Sequence, residues 1–149
     1  MIRARVVFGL ALLVPLLAAA APSQQLLLGN QRFDFAVAAD PESRQQGLMG
    51  RELTAGTGML FDFPAGTRPA IWMHNMRISL DLVFVDTHGR IKQLFANVPP
   101  CRQMPCAIYQ AAEPLRYVLE IPAGTIQALG IKAGDQLDMG ALPASPPAQ

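Results

Sequence analysis

A mainly β fold, a compact sandwich or barrel with one or two short helices, is predicted by three features of this 149-residue sequence. Apolar residues recur with period two or in short unbroken runs, not at helical spacing. Gly, Pro, Asn and Asp punctuate those runs at short intervals, as turns between strands require. About half of the residues are apolar, enough for one continuous core in a chain of this length.

The chain opens with Arg3 and Arg5, an apolar run from Val6 to Leu17 and small residues from Ala18 to Ala21. This is the layout of a secretory signal peptide, with cleavage expected near Ala20. A retained spanning helix needs roughly 20 apolar residues, and this run is shorter and broken by Pro15. The expected organisation is therefore a signal peptide over 1–20, a mature N-terminal segment over 21–30 that orders late, one β-rich domain over 31–140, and a disordered tail over 141–149. The expected location is periplasmic or secreted.

Within the domain, Phe33, Phe35 and Val37 alternate with polar or small neighbours and predict a strand from Arg32 to Ala38. Asp40-Pro41-Glu42 supplies an N-cap carboxylate, a proline for the first helical position and an acid for the first turn. A short helix should run to Gln46 and stop at Gly47, followed by a Gly-rich loop. Met59 to Phe63 and Ala70 to Met76 read as strands joined by a turn. On the second, Trp72, His74 and Met76 should share one face, and Ile71, Met73 and Asn75 the other. Leu80 to Val85 is apolar throughout except for Asp81, as expected for a strand covered on both sides. Asp86-Thr87-His88-Gly89 should turn it into a hairpin with Ile91 to Val98, leaving His88 exposed.

The stretch from Pro99 to Pro114 holds four prolines and both cysteines, and reads as one long loop. Tyr117, Leu119 and Ile121 then alternate with Arg116, Val118 and Glu120 in another strand. A short helix from Thr125 to Leu129, ended by Gly130, and a last strand from Gln136 to Met139 complete the domain.

Charge excludes some functions. Without the signal peptide ten basic side chains face eleven acidic ones, a formal charge of −1, so neither nucleic acid nor an anionic membrane surface is an expected partner. Cys101 and Cys106 are expected to form a local disulfide in an oxidising compartment. Neither a C-x-x-C motif nor a His cluster points to a metal, and no cofactor is implied.

Several residues carry candidate chemistry. Trp72 offers an aromatic face for a flat ligand, set against the commoner role of a lone Trp in an apolar strand as a core residue. His74 and Asn75 are polar groups among apolar neighbours. Asp81, inside an apolar run, requires a partner, either backbone N–H groups or an Arg, with Arg51 the first expected and Arg77 the next. No G-x-S-x-G elbow or comparable catalytic motif is present.

Taken together, these landmarks resemble the bacterial and archaeal family known as domain of unknown function 192. The matching stretches are Pro41-Glu42 with Arg44, Gly47-Leu48-Met49 with Arg51, Gly58-Met59-Leu60-Phe61, Trp72-Met73-His74-Asn75, Ile78-Ser79-Leu80-Asp81 and Phe84-Val85-Asp86 with Gly89-Arg90. Tyr117-Val118-Leu119-Glu120, Ala123-Gly124, Leu129-Gly130-Ile131 and Gly134-Asp135 complete them. The resemblance implies a compact jelly-roll-like domain, often exported, with no established activity. It departs from the family's usual W-M-K-N-T pattern at His74 and Met76, and has Ser79 where a proline is common. A role needing a cationic amine at the position of His74 is not carried over.

The expectation is an exported module that binds a small molecule, glycan or envelope component without catalysis. Its site should lie in a groove beside the Pro99–Pro114 loop and the Trp72–Met76 segment, and the protein should be a monomer. One alternative is an envelope enzyme using Asp81 with His74 or Arg51. Another is a periplasmic copper(I) carrier using Met73, His74, Met76, Met104 and the cysteines, since thioether, imidazole and thiolate are soft ligands.

Overall fold

The computed structural model describes residues 22–140. The expected signal peptide over 1–20 and the expected disordered tail over 141–149 lie outside those residues. The elements run β1 (Ser23–Leu28), β2 (Gln31–Ala38), α1 (Pro41–Gln46), β3 (Thr57–Asp62), β4 (Ala70–Trp72), β5 (Leu80–Val85), β6 (Ile91–Val98), β7 (Ile108–Gln110), β8 (Tyr117–Pro122) and α2 (Thr125–Leu129). The fold is mainly β with two short helices, as the sequence predicts. Six strands form one sheet in the order β1-β2-β3-β8-β5-β6, and β4 pairs with β7 in a second. Among the described residues β1 and β6 end the large sheet and do not pair with each other, so it is not closed into a barrel. Among the described residues no helix is long and apolar enough to cross a membrane.

The alternation of side chains in the large sheet separates two apolar clusters. Phe33, Phe35, Leu60, Val83, Val85, Leu119 and Ile121 point to one face, where Ile126 of α2 and the segment carrying Ile131, Leu137 and Met139 cover them. Met59, Phe61, Leu80, Leu82, Phe84 and Val118 point to the other, under Ile71 of β4, Met73, and Leu48 just after α1. The middle strands β3, β8 and β5 are thus covered on both sides, which is why almost every position in them is buried.

One connection in the sheet is parallel. β2 and β3 run side by side in the same direction, and α1 lies in the crossover between them. Its start follows the sequence closely. Asp40 accepts from the Ser43 backbone N–H at 2.8 Å, Ser43 returns a contact to the Asp40 backbone, and Pro41 occupies the first helical position. Gly58, at the head of β3, has no room for a side chain: a Cβ there would lie 2.6 Å from the Phe35 ring and 2.5 Å from the Glu120 carbonyl oxygen.

Four local expectations are corrected. The segment before Asn30 does not stand apart from the domain, because β1 pairs along its whole length with β2. Its alternation is masked in sequence by Leu27, which is 54% exposed between buried Leu26 and Leu28. The strand from Ala70 stops at Trp72, and Asn75 takes a left-handed φ of 55° that breaks the period. The Pro99–Pro114 loop contains β7, a short edge strand held by β4. Finally, residues 136–139 form no strand. Gln136 makes one isolated bridge to Arg90, and the segment packs by its side chains.

Asp81 is fully buried on β5, and its partners are backbone groups rather than an Arg. Its two oxygens accept from the N–H of Asn97 at 2.7 Å and from the N–H of Ile126 at 2.8 Å. The first bond sits where the β5–β6 register shifts between Leu80 and Leu82, beside Asn97 with its φ of 53°. The second caps α2, whose own N-cap residue Gly124 has no side chain to offer. Arg51 lies elsewhere, exposed in the loop after α1.

Replacing Asp81 with Ala strands two buried donors at once. We expect a loss of about 3 to 5 kcal/mol in unfolding free energy by urea titration, because hydrogen bonds to a charged group are worth about 1.5 to 3 kcal/mol each. The Ile126 amide should also exchange faster. A loss below about 0.5 kcal/mol, the usual range for surface changes, would contradict the capping role.

Candidate functional site

Between α1 and the sheet lies a two-part depression. Its inner part is a cavity of about 220 Å³, walled by the Arg44–Met49 segment on one side and by Phe61, Phe63 and Met76 on the other. Trp72 stands at its mouth and also lines an outer groove of about 690 Å³ that continues past Asp40, Glu42, Ser43 and His74. Trp72 is 40% exposed, so its ring is available from solvent.

The inner cavity contains a carboxyl group. Glu120, on β8 between Met59 of β3 and Leu82 of β5, is 4% exposed and lines the cavity. Its Oε2 is buried with no hydrogen-bond partner among the described residues. Burial alone pushes its pKa up from 4.5 to about 8, so at neutral pH the group is mostly the uncharged acid. Arg44 lines the same cavity but is otherwise engaged: its Nη1 donates to the carbonyls of Ala39 and, at 3.0 Å, Asp62, and its guanidinium lies 5.5 Å from the Phe63 ring centre.

The mouth is fixed from both sides. The Gly50 N–H donates to the Asn75 carbonyl at 3.0 Å, tying the loop after α1 to the end of the β4 segment. The Cys101 N–H donates to the Met73 carbonyl at 2.9 Å, and Cys101 forms the expected disulfide with Cys106. The His74 ring stacks on Trp72 with centroids 4.8 Å apart, and its Nδ1 lies 3.9 Å from the Cys106 sulfur. The disulfide loop therefore buttresses the aromatic pair. On the far side of the sheet, Arg116 grips buried Asp62 through two bonds of 2.8 and 3.0 Å, and this pairing raises the Arg116 pKa.

Of the residues singled out in the sequence, Trp72 and His74 come together at the groove. Asn75 turns the chain just behind them. Asp81 points to the opposite face of the sheet, and Arg51 lines neither cavity. The copper set does not assemble as a whole, since Met73 is buried in the core while Met104 is exposed on the disulfide loop. Glu120 was missed. It sits in register with Val118 and reads as the solvent face of an alternating strand. The available signal was that its neighbouring strands, Met59–Phe61 and Leu80–Val85, are apolar apart from Asp81, which leaves no solvent side for it.

Comparison with known proteins follows the same boundaries. The family model for domain of unknown function 192, described as "Uncharacterized ACR", matches residues 24–139. The chain belongs to this family. A UPF0127 protein of Pyrococcus furiosus is 28% identical over 82 residues, covering 54% of this chain and 66% of that protein, just under two thirds of its length. Two solved structures are similar throughout. One, from Sinorhizobium meliloti and provisionally designated a transcription regulator, shares 33% identity with a TM-score of 0.72, covering 81% of this chain and 96% of that one. The other, of unknown function from Novosphingobium aromaticivorans, shares 32% identity with a TM-score of 0.66, covering 76% and 81%.

Burial of Glu120 has a measurable consequence for stability. The unfolded chain loses the proton near pH 4.5 and the folded chain only near 8, so the unfolded state carries the fewer protons between them. Stability should fall by about 1.4 kcal/mol per pH unit in that window and level off above it. Glu120→Gln removes the slope. Urea titrations should show the variant gaining on the wild type from pH 5 to pH 8 and holding a constant lead above. A gap that does not change with pH would mean that Glu120 is ionised in the folded protein.

Proposed function

We propose that this is an exported, non-enzymatic module that holds a small molecule, or the end group of a larger envelope component, in the cavity between α1 and Trp72. The observation that carries the reading is Glu120. A carboxyl group buried without a partner weakens the fold, and here it lines a cavity with apolar walls and an aromatic mouth. Apolar enclosures with a few well-placed polar groups are the usual form of small-molecule sites. The local disulfide and the N-terminal Arg3–Ala21 segment support export.

The enzymatic alternative has less support. Asp81 already has both oxygens bound by backbone N–H groups, and neither His74 nor Arg51 is near enough to bond to it. Copper binding by the combined methionines would require Met73 to leave the core.

Trp72 is the chain's one tryptophan, so its emission reports directly on the mouth of the cavity. Protein recovered from the periplasm should begin near residue 21 and contain the oxidised cysteine pair by intact mass. Solvent extraction should release a small molecule that, when returned, shifts Trp72 emission and raises the melting temperature. A chain retaining residues 1–20 would sink the export reading. Extracts and a broad metabolite panel that leave both signals unmoved would sink the binding reading.

A further inference from the structure

The chemistry around the cavity narrows the class of ligand. Arg44 and Glu120 are the charged or titratable side chains lining the inner cavity among the described residues. Of these, Arg44 keeps its charge but turns its Nη1 to two backbone carbonyls, and burial alone accounts for the shift at Glu120, so Arg44 does not offset that carboxyl. The strands flanking Glu120 present only apolar groups there: Met59 and Phe61 from β3, and Leu80, Leu82 and Phe84 from β5. No group among the described residues bonds to the buried Oε2 of Glu120.

The approach is acidic as well. Asp40 and Glu42 line the outer groove beside His74, and among the described residues no Lys or Arg lines it. The Ser43 backbone N–H and hydroxyl hold the Asp40 pKa below the usual carboxylate value, so Asp40 keeps its charge at neutral pH. A cation entering this groove passes a negative field, then the face of Trp72, which attracts ammonium groups. It ends at a carboxyl that lacks a donor.

We propose that the ligand is a primary ammonium compound with a compact apolar body, its nitrogen on the Glu120 carboxyl and its body between Trp72 and Phe61. The proposal rests on the binding role given above and adds the identity of the headgroup. Because the free acid is mostly protonated at pH 7, forming the ion pair expels its proton. Glu–COOH and R–NH₃⁺ become Glu–COO⁻ held against R–NH₃⁺, with one H⁺ released to buffer. Affinity should therefore rise about tenfold per pH unit up to the pKa of the free carboxyl and then level off. An acceptor ligand, such as an amide or alcohol, would take a hydrogen bond from the acid and release no proton.

Calorimetry on the intact mature protein tests this with benzylamine against benzyl alcohol, two probes of nearly the same shape. At pH 7, titrations in two buffers of different ionisation enthalpy count protons on wild-type protein and need no variant. We expect benzylamine to bind at least 10-fold more tightly than benzyl alcohol, releasing close to one proton per molecule. In Glu120→Gln, with folding checked by its thermal transition, that preference should collapse. Equal binding of the two probes with no proton released would overturn the ammonium assignment while leaving the cavity a binding site. Failure of both probes to produce heat or to shift Trp72 emission would overturn the ammonium assignment and count against the cavity itself.

Discussion

The structure depends on one constraint: its three middle strands are buried on both faces. β3, β8 and β5 have no solvent side, so each polar side chain among them must find a partner inside the protein or go without. Two carboxylates meet that condition within one ladder. Asp81 on β5 pairs in register with Ile121, and the next position, Leu82, pairs with Glu120. They are neighbours across the strands, yet they point to opposite faces and have opposite fates. Asp81 accepts two backbone N–H bonds and joins a bulge to a helix start. Glu120 has a buried oxygen with no partner.

That contrast separates structural from functional chemistry better than residue type does. Both are enclosed acids, though only Asp81 stands out in the sequence as a catalytic candidate. A buried acid with its lone pairs filled by backbone donors is locked, and it stabilises the elements it ties together. A buried acid facing a cavity lowers the stability of the empty protein, and a ligand that satisfies it restores what was lost. The position of Arg44 fits the same logic. It borders the same cavity, but bonding to the Ala39 and Asp62 carbonyls braces α1 against β3 instead of neutralising Glu120. A direct ion pair would have ionised the acid and left nothing for a ligand to satisfy.

Much of the frame was legible because it is local. The capping box at Asp40 and Ser43, the β5–β6 hairpin through Asp86, the two helices and the disulfide each depend on residues a few positions apart. Asp86 shows how short that range is, accepting from the N–H groups of His88 and Arg90 within its own turn. What sequence could not supply was pairing at a distance. The burial of Asp81 followed from its apolar run, but its donors lie 16 and 45 residues away and are main-chain groups that carry no residue signature. The edge strands β1 and β7 were obscured for another reason. An edge strand needs only one partner and can expose apolar residues such as Leu27 and Ile108, which blurs the period that identifies strands.

Glu120 was hidden by the same rule that found its strand. Alternation in β8 correctly separates Tyr117, Leu119 and Ile121 from Val118 and Glu120, and a polar residue on the second set reads as solvent-facing. The second face is instead roofed by α1 and Leu48, which lie in the parallel crossover from β2 to β3, and by the β4 segment, which lies in the connection from β3 to β5. A crossover is a property of topology, not of any one segment's pattern. The roof is also incomplete: α1 is only six residues long and none of them is buried, so it spans the sheet without filling the space beneath. A longer, amphipathic helix would have packed side chains onto Val118 and Glu120 and closed the cavity. The short capped helix, held at one end by Asp40 and at the other by Gly47, leaves a gap over the one position on this face of the middle strands where an acid stands.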